Sequence, residues 1–235
     1  IIAVPGETDD EEAVWLPEQK VMCGGDNYYA SWPNLSALRG STYRDVDQWV
    51  KSLKKYLDYP VEYFIPGHGE ILIGNSRFKE VISTYGEAVE WVLEQTLDGI
   101  NKGKTPNELV DMIQLPEEWK EISYLQEYYG TVEWSIRGIY AGYVGWFDGN
   151  PTNIGHISVK ERAEKFIKLI GGNETLILAI RESVNRCDMQ WAMILCDILI
   201  DAQINVSEAK KLKAQACIYL GRMQTSANAR HYYLS

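Results

Sequence analysis

The chain has 235 residues, 46% of them hydrophobic and 24% charged, with a formal net charge of −10. That length and mixture admit two modest domains with cores of their own, while the acidic balance and scattered Lys and Arg exclude nucleic acid, whose affinity rests on clustered cations. No apolar run reaches the ~18 residues of a membrane-spanning helix, so the chain reads as soluble, with cytoplasm, periplasm and secretion left open.

Ile1 to Val4 is apolar and runs into the turn Pro5-Gly6, followed by the acidic group Glu7, Asp9, Asp10, Glu11 and Glu12. By composition that group is a solvated loop. Ala13 to Leu16 and Val21 to Cys23 read as short strands separated by Pro17-Glu18-Gln19-Lys20, and Gly24-Gly25 bring Asp26 to the end of the second. From Tyr28 to Arg44 the pattern is that of a loop, although Tyr28, Tyr29 and Trp32 beside Arg39 and Arg44 are unusual for mere connection. Those rings either roof a small core or belong to a site. Val46, Trp49, Val50, Leu53 and Leu57 recur at helical spacing and predict a helix from about Asp45 to Tyr56. Val61 to Ile65 predicts a buried strand ending in Pro66-Gly67-His68-Gly69, whose glycines let the backbone turn and leave the imidazole uncrowded. Residues 1–75 thus read as strand, strand, loop, helix, strand, half of a layered α/β domain whose sheet lacks partners within the chain.

The signal then turns helical. Phe78, Val81, Ile82, Tyr85, Val89, Val92, Leu93, Leu97 and Ile100 form one apolar stripe over about seven turns, wide enough for a partner helix as well as its own core. Thr105-Pro106-Asn107-Glu108 is a capping box with proline at the first helical position. A helix is expected from Thr131 to about Trp146, where rings mixed with Gly138, Gly142 and Gly145 point either to close packing or to a pocket wall. Asp148-Gly149-Asn150-Pro151 is a turn, Ser158-Val159-Lys160-Glu161 a second capping box, and three further amphipathic helices run from Asn173, Asp188 and Ser207 as a helical stack. Cys23, Cys187, Cys196 and Cys217 show no metal or redox spacing and read as small buried hydrophobes.

Two strand ends therefore offer a carboxylate, Asp26, and an imidazole, His68, both suited to a hydrolytic metal. The residues alone leave plainer readings open: Glu7 as a surface acid, Asp26 capping the following turn, His68 as a hydrogen-bonded strand-end histidine, and Arg39 and Arg44 as structural partners of Glu7 or Asp45. With His68, His156 and His231 the only histidines, the chain cannot by itself supply a histidine-rich two-metal site.

Pro5-Gly6-Glu7, Leu16-Pro17-Glu18, Asp26, Asn34, Leu38-Arg39-Gly40, Arg44-Asp45, Tyr128-Tyr129-Gly130-Thr131 and Gly145-Trp146-Phe147-Asp148-Gly149-Asn150-Pro151 stand in an order that resembles alkylsulfatases of the metallo-β-lactamase superfamily. The resemblance spans nearly the whole chain and implies an α+β, multidomain fold. Residues 1–75 would be the C-terminal half of a metallo-β-lactamase-like αββα domain, and residues 76–235 an all-helical dimerisation domain. It implies a metal-dependent sulfuric ester hydrolase that cleaves alkyl sulfates to alcohol and inorganic sulfate, with two divalent ions, zinc being expected, that activate water. By position Glu7, Asp26 and His68 resemble metal ligands, with Asp26 standing where relatives often carry Glu. Arg39, Arg44 and Asn34 resemble the residues that bind the sulfate. The His-X-His-X-Asp-His motif of such enzymes is absent from this sequence, so the isolated chain is expected to be inactive and to carry no catalytic residue beyond metal ligands. A homodimer through the helical domain is expected. A non-catalytic helical scaffold, or a hydrolase of a phosphoester or thioester on the same fold, are the competing readings.

Overall fold

In the computed structural model, which describes residues 1–235, five strands form one mixed sheet in the order β1-β2-β3-β4-β5. β2 (Glu12–Leu16) and β3 (Val21–Gly25) make an antiparallel hairpin with Trp15 opposite Met22, as the two apolar runs around Pro17–Lys20 predict. β4 (Tyr63–Pro66) lies parallel to β3, with Met22 opposite Phe64. A parallel pair needs a crossover, and the crossover here contains α1 (Val46–Tyr56). Asp45 caps α1 by accepting from the Asp47 and Gln48 N–H groups, while Trp49, Val50, Leu53 and Tyr56 turn its apolar face to the sheet side.

The sheet does find partners within the chain, contrary to the expectation from sequence. β1 (Ile2–Ala3) pairs with β2 and β5 (Leu72–Ile73) pairs with β4, each only two residues long and too short to leave an alternating pattern.

α2 (Asn75–Asn101) is the long helix its stripe predicts. Its partner-helix reading does not survive: Phe78, Val81, Ile82, Tyr85, Val89 and Val92 are fully buried in one core with Met22, Trp49 and Phe64. The apolar face is used up by the chain's own sheet and helices. α3 (Pro106–Met112) opens with both halves of the Thr105/Glu108 capping box, and the short α4 (Glu117–Lys120) follows Pro116. In α5 (Val132–Val144), Gly138 and Gly142 serve close packing: a Cβ would meet Ser36 Cβ at 2.5 Å and the Tyr43 ring at 2.2 Å. The aromatic loop is thus pressed onto this helix.

The chain divides into two compact units, Ile1–Gly149 and Asn150–Ser235. The division expected at residue 75 is absent from this partition because α2 begins there and enters the core of the sheet. The second unit stacks α6 (Val159–Ile170), α7 (Asn173–Asn185), α8 (Met189–Asp201), α9 (Val206–Met223) and α10 (Ala227–Leu234) around Ile167, Leu176, Ile180, Leu195 and Leu199. Of the cysteines only Cys196 is buried; Cys187 is exposed and the other two are partly covered. No helix is long and apolar enough to cross a membrane.

Candidate functional site

At the carboxyl ends of β3 and β4 the chain turns through glycines, and two of them set the site's geometry. Gly25 has φ +64°, a conformation that favours glycine, and a Cβ there would lie 2.4 Å from the Glu11 carboxylate. At Gly67 a Cβ would lie 1.9 Å from Asp26 Oδ1. The Gly67 N–H donates to the Gly25 carbonyl at 2.7 Å, so the two turns are joined by backbone. Asp26 and His68 emerge side by side, with Oδ1 3.6 Å from Nε2.

Glu7, Asp26 and His68 line a single cavity of about 420 Å³, together with Tyr29, Ser31 and Tyr129. Burial raises the Glu7 carboxyl above its ordinary value, and the nearby Asp26 charge adds to that, while Arg44 and His68 pull it back down. Arg44 holds Glu7 directly, Nη2 to Oε1 at 3.0 Å, with both side chains largely out of water. Its Nη1 donates to the Asn34 carbonyl, and its Nε is buried without a partner.

The expected anion-binding group is not gathered at this cavity. Arg44 is committed to Glu7 and the loop backbone, and Asn34 is buried with its Oδ1 unpartnered. Arg39 stands exposed on the turn closed by the Gly40 N–H donating to Ala37 O at 2.9 Å. Loop sequences leave such choices invisible, since the spacing of two arginines says nothing about which one turns inward.

Three residues support the site: Glu11 and Asn27 escaped the sequence reading, while Tyr29 stood among the rings left open there between a core roof and a site. Glu11, one of an acidic run, accepts from the backbone N–H groups of both Asp26 and Asn27, and burial raises its carboxyl too. Asn27 is fully buried: its side chain donates to Val4 O at 2.6 Å and accepts from the Glu7 N–H at 3.0 Å, and its carbonyl accepts from Trp49 Nε1 at 2.9 Å. Tyr29, whose phenol burial keeps protonated, accepts from the Asn34 N–H at 2.6 Å and stands edge-on to Tyr129. Asn27 stands directly after Asp26, and a polar residue among strand-end glycines was the available signal.

As donors to a metal these residues are of suitable type, but the set is short. Asp26 and His68 supply two neighbouring atoms, Glu7 is engaged by Arg44, and no group of three or more His, Cys, Asp and Glu side chains is placed to hold one ion. No chemical step is therefore derived through a metal on this chain.

The model of the alkyl sulfatase dimerisation family matches residues 105–235. A linear primary-alkylsulfatase from a Pseudomonas strain is 35% identical over 98% of the chain, and the alkyl/aryl-sulfatase BDS1 of Saccharomyces cerevisiae is 25% identical over 99% of it. The solved structure of the stereoselective inverting sec-alkylsulfatase Pisa1 from Pseudomonas sp. superposes with a TM-score of 0.93 at 26% identity, covering 99% of the chain. The chain spans less than half of each relative: 44% and 36% of the two enzymes and 37% of the solved chain. With more than half of its residues under that family model and alkylsulfatases as its homologues, the chain belongs to the alkyl sulfatase dimerisation family.

Proposed function

We propose that the chain is part of a metal-dependent alkylsulfatase that hydrolyses alkyl sulfate esters to an alcohol and inorganic sulfate, and that it assembles as a homodimer through its helical region. The observation that carries this reading is the convergence of Glu7, Asp26 and His68 on one cavity, with Asp26 and His68 3.6 Å apart. These three would hold divalent ions, zinc being the expected metal, jointly with donors that the 235 residues do not contain. Bound there, such ions would supply Lewis acidity and a nucleophile at neutral pH.

The chain's own residues have narrower tasks. Glu11 and the Asn27 side chain fix the Asp26 turn and the Glu7 backbone, and Arg44 orients Glu7 and opposes the upward push of burial on its carboxyl. Arg39, exposed on its turn and in no ion pair within the chain, is the residue we assign to the sulfate, where its planar fork suits two of the oxygens. Asn34 and Arg44 act from behind by holding the loop. Rings of Tyr29 and Tyr129 on the cavity wall suit an apolar tail.

The test is sulfate release by the full-length protein from a linear alkyl sulfate, run beside a matched phosphoester and thioester. Turnover of the sulfate ester alone supports the reading; preference for either other ester transfers the fold to a different hydrolase. A second reading is a non-catalytic dimerisation scaffold, favoured by the family match over residues 105–235.

A further inference from the structure

α8 carries two adjoining apolar faces. One face is buried in its unit's own core through Leu195, Cys196 and Leu199. The other carries Trp191, Ile194 and Ile198, spaced i, i+3, i+7, and borders a groove of about 650 Å³ completed by Phe166 of α6. Trp191, Ile194 and Phe166 are 49%, 46% and 45% exposed. A contiguous apolar patch rimmed by polar groups marks a binding surface.

The rim identifies the occupant. Arg162 lines the groove from α6 and Asp201 from α8, and neither forms an ion pair within the chain. Their neighbours do: Asp197 is paired with Lys213 at 2.5 Å and Glu161 with Lys165 at 2.7 Å. Under a two-fold axis the same patch meets itself, so that residue i of one copy contacts residue j of the other and the reverse. An apolar centre with an unpaired cation on one wall and an unpaired anion on the other is self-complementary under that operation. The groove also lies inside the residues matched by the dimerisation family model.

We propose that a second copy of this chain docks in the α6/α8 groove, with Trp191, Ile194 and Phe166 at the centre and Arg162 of each copy against the partner's Asp201. The proposal rests on the homodimer reading above and assigns the face that reading leaves open. The experiment is the oligomeric state of the full-length protein by light scattering across a concentration series, for wild type, Arg162→Asp, Asp201→Arg, the double swap and Trp191→Lys, each with a circular dichroism spectrum. All three positions reach solvent in the single chain, so the variants are expected to fold. Each single swap sets like charges together and is expected to raise the dimer dissociation constant at least about tenfold, with the double swap restoring it. Trp191→Lys is expected to give monomer. A wild-type dimer that all variants retain would overturn this face while leaving the homodimer in place. A double swap as dissociated as the singles would overturn the Arg162–Asp201 geometry. Wild type that stays monomeric throughout would remove the homodimer and this proposal together.

Discussion

Replacing Arg44 by Met separates the role of this arginine toward Glu7 from any role toward substrate. In the folded chain Arg44 and Glu7 form a pair with side-chain exposures of only 6% and 15%. Removing one partner of such a pair leaves the other charge buried and uncompensated, which costs about 3–5 kcal/mol at neutral pH. The cost has a pH signature. Burial already holds Glu7 above its ordinary 4.5, and Arg44 is the largest influence pulling it down, so the substitution pushes the carboxyl higher still. A glutamate whose folded value exceeds its unfolded one leaves the folded state with more bound protons, and stability falls as pH rises through that interval. In Arg44→Met the interval extends further upward from 4.5, so the deficit against wild type should be smallest below that pH and grow toward neutrality. Urea denaturation followed by tryptophan fluorescence reads the relevant unit, because every tryptophan except Trp191 lies in Ile1–Gly149. A deficit independent of pH, or one below about 1 kcal/mol at pH 7 as for an exposed pair, would refute the claim that Arg44 exists to hold the Glu7 charge.

Gly67→Ala is expected to keep the fold, since the atom it meets is the end of a half-exposed side chain, but to drive Asp26 off His68; metal content of the full-length protein should fall with little change in melting temperature. His68→Ala should do the same, because the imidazole is 77% exposed and supports no packing; a large drop in melting temperature would make His68 structural instead. Glu11→Ala leaves the Asp26 and Asn27 N–H groups without an acceptor and is expected to cost about 1–3 kcal/mol in denaturant titrations, with Glu11→Gln recovering much of it. Thr105→Ala breaks the capping box of α3 and should cost about 1 kcal/mol with no effect on metal content.

Much of the fold was legible because its elements are periodic or capped. The apolar stripes of α1 and α2 and the Thr105 box each announce themselves locally. What stayed hidden is decided by long-range contact. β1 and β5 exist only because longer strands lie beside them, and nothing in two residues encodes that. The same stripe that suggested a partner helix is consumed by the chain's own α1 and sheet, a choice periodicity does not reveal. At the site, Asp26 and His68 were legible as strand-end residues between glycines, and the structure does bring them together with Glu7. Their fixing was not: Glu11 looked like one more surface acid, and Arg44 looked like Arg39, until burial distinguished each from its neighbours.

The sulfatase account stands most directly on metal content, measured by elemental analysis of the purified full-length protein without added chelator. The account predicts close to stoichiometric divalent metal, zinc first, and its loss in Asp26→Ala. A well-folded dimer that carries no metal, and takes none up on dialysis against zinc, would contradict it and leave the helical scaffold as the better description.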